Sequence, residues 1–138
     1  MDKEYIEYAS KLNEFGDMIH DAIGMIPKIN PDNEYTEAEM KSLKQILDIV
    51  SDKNQATLNK IRSMIVPDII KKEHEKLTNG VQSFVRGTKL MNDSLNINLT
   101  ELNKTQLLQG NAILQIGVKE VENAVQLIGD IIIAKSKS

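Results

Sequence analysis

The chain has 138 residues, of which 41% are hydrophobic and 27% charged, with no cysteine and a formal net charge of −3. That length suits one domain with a continuous core, and the balance of apolar and charged residues argues against disorder or a fibrous repeat. The lack of cysteine excludes disulfides, thiolate metal sites and cysteine nucleophiles together.

Aromatic residues make up 4% of the chain and tryptophan is absent, so the core must be filled by Ile, Leu, Val, Met and Ala, which suits helix packing better than a β-sandwich. Residues 1–50 carry 5 basic and 11 acidic side chains, and residues 51–138 carry 12 and 9, for net charges of −6 and +3. This division favours contact between an acidic first part and a more basic remainder. It leaves no clustered Arg and Lys footprint for nucleic acid. The longest apolar segment, Leu127 to Ala134, is broken by Gly129 and Asp130 and falls short of the roughly 18 apolar residues of a membrane span.

In chain order, Tyr5, Ala9, Leu12, Gly16, Ile19, Ile23 and Ile26 alternate at four and three residues, the stripe of a first helix over about 3–26. Pro27 and Pro31 end it in a loop. Thr36 and Glu39 form a capping box, in which hydroxyl and carboxylate satisfy each other's backbone N–H groups, with Tyr35 and Met40 as its hydrophobic staple. A second helix then runs over about 37–63 along Met40, Leu43, Leu47, Val50, Asn54, Thr57, Ile61 and Met64.

Pro67 fits the first position of a third helix, about 67–94, because there its missing N–H costs nothing. Its stripe is Ile70, His74, Leu77, Val81, Phe84, Thr88, Met91 and Leu95. Asn79-Gly80 is its weak point, since the pair can end a helix as well as sit inside one. Asn98 and Glu101 read as a second cap, with Ile97 and Leu102 as staple, starting a fourth helix over about 99–134. Its seam is Leu107, Gly110, Leu114, Gly117, Val121, Ala124, Ile128 and Ile131, followed by a basic tail. Short links imply antiparallel neighbours, hence an all-α, up-down-up-down four-helix bundle forming a single domain over 1–138. The alternative is three long helices, with the second kinked at Pro67 and continuing to a turn at Asn79-Gly80.

Few residues carry chemistry. The two histidines are His20 and His74, and neither follows a glutamate by three positions as carboxylate-bridged dimetal bundles require. Asp17 and His20 read as a solvated helix face, with a weakly held surface ion as the alternative. His74 falls on the apolar seam, where it serves either as a structural histidine satisfied by a neighbouring helix or as a ligand or proton-sensing site. Gly110, Gly117 and Ala124 lie in line at seven-residue spacing and permit close helix approach, with a ligand groove above the glycines as the rival reading. The mixed-sign run Lys71 to Lys76 is a solvated face. Asn98-Leu99-Thr100 and Asn103-Lys104-Thr105 match the glycosylation sequon, a short pattern that also arises by chance. There is no phosphate loop, GxSxG elbow or HExxH motif, so the expectation is of no catalytic constellation, no cofactor and no metal.

The stretch Pro67-Asp68-Ile69-Ile70-Lys71-Lys72-Glu73-His74-Glu75-Lys76-Leu77, followed by Val81, Phe84, Gly87 and Leu90, resembles a pattern in uncharacterised helical-bundle lipoproteins and exported domains of Gram-positive bacteria. It covers about a fifth of the chain, and the lipid-bearing cysteine of that pattern has no counterpart here. The resemblance implies a non-catalytic, envelope-associated domain. Together with the lack of cysteine and a first stripe that already begins at Tyr5, it leads to the expectation that Met1 is a trimmed start with a signal segment encoded upstream; a cytoplasmic location is the alternative. The expected function is a non-enzymatic helical interaction domain with a protein partner or self-association. The alternatives are a small-ligand or metal-binding bundle using His74, Gly110 and Gly117, and an intracellular regulatory dimer.

Overall fold

A computed structural model describes residues 2–96 and 98–137. Four α-helices follow in chain order: α1 (Lys3–Gly24), α2 (Glu37–Arg62), α3 (Lys71–Asp93) and α4 (Lys104–Ser136), with a single 3-10 turn at Asp68–Ile70 leading into α3. Together they form an all-α four-helix bundle. Each helix packs antiparallel to its successor, and α1 closes the ring against α4, so α1 and α3 stand on a diagonal. The chain is continuous through Asn79-Gly80 inside α3, which settles the choice against three long helices.

Of the two caps expected from the sequence, one is built as expected. The Thr36 hydroxyl accepts from the Glu39 N–H and the Glu39 carboxylate accepts from the Thr36 N–H, each at 3.1 Å. Tyr35 packs against the apolar cluster that contains Met40. The exception is the start of the fourth helix. It begins at Lys104, and its cap is Asn103, whose side chain accepts from the Gln106 N–H at 3.1 Å.

The predicted cap at Asn98 fails because Asn96 takes its place: the Asn96 carboxamide oxygen accepts from the N–H groups of Thr100 and Glu101 at 2.8 and 3.0 Å. Leu99, at φ 55°, holds the left-handed conformation of a turn, which no helix can contain. Asn96 and Glu101 are joined by a backbone bond, as are Ser94 and Asn103, closing the loop between α3 and α4. Ile97, the other half of the predicted staple, lies outside the described residues. The first helix likewise ends at Gly24 rather than 26, and Pro67 precedes a 3-10 turn instead of opening the third helix directly.

The predicted seams of α2, α3 and α4 are buried throughout, apart from the half-buried Met64 and Ile131. α1 is different. Its buried line is Tyr8, Phe15 and Ala22, flanked by half-buried Tyr5, Leu12 and Ile19, while Gly16 is exposed. Both stripes keep the helical alternation, but the two aromatics have the reach to touch the centre of the bundle, and the helix turns them inward.

α3 and α4 meet through glycine. A methyl group on Gly87 would sit 2.6 Å from the Gly110 carbonyl oxygen, one on Gly110 would sit 2.6 Å from the Gly87 carbonyl oxygen, and one on Gly117 would sit 2.8 Å from the Gly80 carbonyl oxygen. The two backbones therefore touch at two levels one heptad apart. The loss of helix propensity at these glycines, about 1 kcal/mol each against Ala, is offset by contacts that only a missing side chain permits.

The rest of the core falls into two clusters. One joins α1 to the other helices through Tyr8, Phe15, Leu58, Ile61, Leu77, Phe84 and Ile128. The other, around Met40, Leu43, Leu47, Met91, Leu95 and Leu107, lies toward the opposite end beneath Ile29 of the link between α1 and α2. Between them Asn54 donates its amide N–H to the Thr88 hydroxyl at 3.1 Å, with both side chains at most 1% exposed.

Candidate functional site

His74 is 8% exposed, at the junction of three helices. Its Nε2 lies 3.1 Å from the Ile61 carbonyl oxygen at the end of α2. A carbonyl can only accept, so Nε2 carries the proton, and in the neutral ring Nδ1 is then an acceptor. That acceptor is met by the Tyr8 hydroxyl of α1, donating at 2.8 Å, with the two rings edge to face at 5.6 Å between centroids. Burial holds the His74 ring below the ordinary histidine range, partly opposed by the bond to Ile61. Burial also pushes the Tyr8 phenol up. Both side chains are thus neutral at pH 7, and each has its partner.

The other candidates fall elsewhere. Gly110 and Gly117 face the α3 backbone, which fills the space above them, and Ala124 is buried farther along the same seam at 2% exposure. His74 and the glycine line do not converge on a common cavity. Their partners Gly80 and Gly87 escaped the sequence reading because Asn79-Gly80 was weighed as a break, although the two glycines share the seven-residue spacing of Gly110 and Gly117. Asp17 and His20 are exposed on α1. Among the described residues no group of three or more His, Asp or Glu side chains could hold a metal ion.

Of the ion pairs among the described residues, four are local to one helical turn; the fifth, Lys104 to Glu34 at 3.3 Å, joins the acidic first part to the remainder. Lys71, within the mixed-sign run, pairs with Asp68 at 2.9 Å on the surface. No buried side-chain polar atom among the described residues lacks a hydrogen-bond partner. The polar groups of the interior are consumed by the fold.

Apolar side chains come to the surface between α1 and α4. Here an open groove of about 430 Å³ is lined by Ile19, Ile23, Phe84, Val118, Val121 and Val125, with His20, Glu122 and Gln126 at its polar rim. It exists because α1 seats on only three fully buried side chains and α4 turns its glycine seam toward α3, leaving the two helices in light contact. Farther along α4, Leu127 and Ile133 are 43% and 52% exposed. No described helix is long and apolar enough to cross a membrane. Comparison with protein-family models, with curated proteins and with solved structures returned no match to this chain.

Proposed function

We propose that the chain is a non-catalytic helical interaction domain that receives a protein partner in the groove between α1 and α4. The observation that carries this reading is the contrast between an interior whose buried polar side chains, among the described residues, are all paired and a surface groove whose walls are apolar with a polar rim. A protein contact uses such a combination, an apolar centre ringed by groups that hydrogen bond at the edge.

Photocrosslinking from a reactive residue at Val125, compared with one at the exposed Gln45 of α2, tests the proposal in cells that express the protein. It expects one protein adduct of defined mass from Val125, lost on Gln126→Trp at the rim, and none from Gln45. Equal labelling from both positions, or a stoichiometric small molecule or metal retained in native mass spectrometry, overturns it in favour of a ligand-binding bundle. An adduct with a second copy of the chain supports the dimeric form of the reading.

Envelope association is part of the proposal and is supported by the resemblance over Pro67 to Leu90. A basic, apolar leader ending in cysteine, read in the gene just before this segment, supports it. A stop codon and ribosome-binding site immediately before Met1 overturn it.

A further inference from the structure

We propose that the Tyr8–His74–Ile61 junction is a proton-sensitive latch, which holds α1 against the bundle while His74 is neutral and loosens it when His74 is protonated. The inference starts from how α1 is attached. Among the described residues, the one side-chain hydrogen bond from α1 to another helix is that of Tyr8 to His74, and it spans the bundle diagonal. Beyond it, α1 is held by the apolar contacts of Phe15 and Ala22 and their half-buried neighbours, with the groove open along its α4 side.

Protonation changes the junction in a definite way. Nε2–H still donates to Ile61, but Nδ1 now also carries a proton and can no longer accept from Tyr8. The phenol must turn its oxygen toward the ring. Its own proton then loses the Nδ1 acceptor that it has in the neutral junction, and a charge sits in a buried site where, among the described residues, no carboxylate pairs with the imidazole. The charged and titratable groups around the junction come from α1, α2 and α3. The surface beside His74 bears Arg62 from the end of α2, with Lys71 and Glu75 from α3. On the cleft beside Tyr8 stand Glu4, Glu7, Lys11 and Glu14 of α1 and Lys60 of α2. Glu7 is engaged with Lys3, and Lys71 with Asp68. The cations roughly balance the acids, so no local field compensates the buried imidazolium.

The sign follows from linkage. The folded ring holds its proton less tightly than an unfolded one, so the unfolded chain binds more protons in the window just below the ordinary histidine value of about 6.5. The stabilisation by neutral His74 is complete above that value and is lost as pH falls toward the lower folded-state value. Because Tyr8 belongs to α1, the loss is felt there first.

Hydrogen exchange of the intact chain, corrected for the intrinsic pH dependence of exchange, tests the latch between pH 7.5 and 5.5. The expected result is an increase of about tenfold in the opening of α1 amides from Tyr8 to Ala22, with the amides of the glycine seam unchanged. His74→Gln should flatten the response, whereas His20→Gln should keep it. An α1 whose opening does not change with pH, or a response that survives His74→Gln or disappears with His20→Gln, overturns the proposal. Should His74→Gln fail to fold, the ring nitrogens of His74 followed by NMR in the unmodified chain decide: titration below about 6.5, in step with α1 opening, supports the latch, and titration at or above that value overturns it.

Discussion

α1 and the α3–α4 pair solve the same packing problem in opposite ways. α3 and α4 bring backbone to backbone at Gly87–Gly110 and Gly80–Gly117, where a methyl on Gly87, Gly110 or Gly117 would press on the backbone of the facing helix. α1 instead spans the gap with long side chains, Tyr8 and Phe15, and leaves open space beside them. Small residues give rigid contact and no tolerance; large ones give reach, tolerance and a surface left free for other use. The position of a glycine in this chain is therefore a guide to what its neighbourhood does.

The sharpest test of that contrast is Gly87→Ala. The added methyl would lie 2.6 Å from the Gly110 carbonyl oxygen and 2.8 Å from the Leu114 backbone nitrogen, neither of which can swing aside. Urea unfolding should show a loss of about 2–3 kcal/mol, within the range for overpacked cores and despite the better helix propensity of alanine. An unchanged midpoint would mean that the two helices slide apart freely.

Tyr8→Phe keeps the ring that fills the core and removes the donor to His74. It should cost about 1–2 kcal/mol at pH 7.5, because a buried acceptor is left without its bond. The loss should shrink on acidification, because the bond that the Tyr8 hydroxyl donates favours the neutral ring over the protonated one. A cost that is the same at pH 7.5 and 5.5 would separate Tyr8 from the titration of His74.

The smallest effect has the opposite sign. Gly16 lies on α1 with nothing within 4 Å of where a methyl would stand. Gly16→Ala should therefore raise stability by roughly 0.5–1 kcal/mol through helix propensity and the reduced freedom of the unfolded chain. Destabilisation there would show that α1 is packed as tightly as α3.

Much of this architecture was legible in the sequence, for a physical reason. The stripes of α2, α3 and α4 are each buried against neighbours along one narrow face, so the alternation of three and four residues in Leu43, Leu47, Val50 or Leu77, Val81, Phe84 maps directly onto burial. The Thr36–Glu39 box is a contact between residues three apart and needs no tertiary information. α1 was read one step out of phase because Tyr5, Leu12 and Ile19 belong to two overlapping stripes, and only the distance to α3 selects Tyr8 and Phe15.

The start of α4 was misread because Asn98 and Glu101 carry the spacing of a cap. What displaces them is the turn of Leu99 and the carboxamide of Asn96, both products of closing the loop onto Ser94 and Asn103. The Tyr8 partner of His74 lies 66 residues away across the bundle diagonal, a distance that no helical period reports. The groove was equally hidden, since it is created by how lightly α1 meets α4.

The most direct test of the division between a rigid pair and a separable first helix is residue-resolved hydrogen exchange of the intact chain at pH 7.5, as a function of low denaturant. Amides of α3 and α4 that flank the glycine contacts, such as Val81, Phe84 and Leu114, should exchange only through global unfolding, with steep denaturant dependence. Those of α1 from Tyr8 to Ala22 should open at lower free energy and with a shallower slope, as one cooperative unit. A single free energy and a single slope shared by α1, α3 and α4 would contradict it, and would make the bundle one indivisible packing unit.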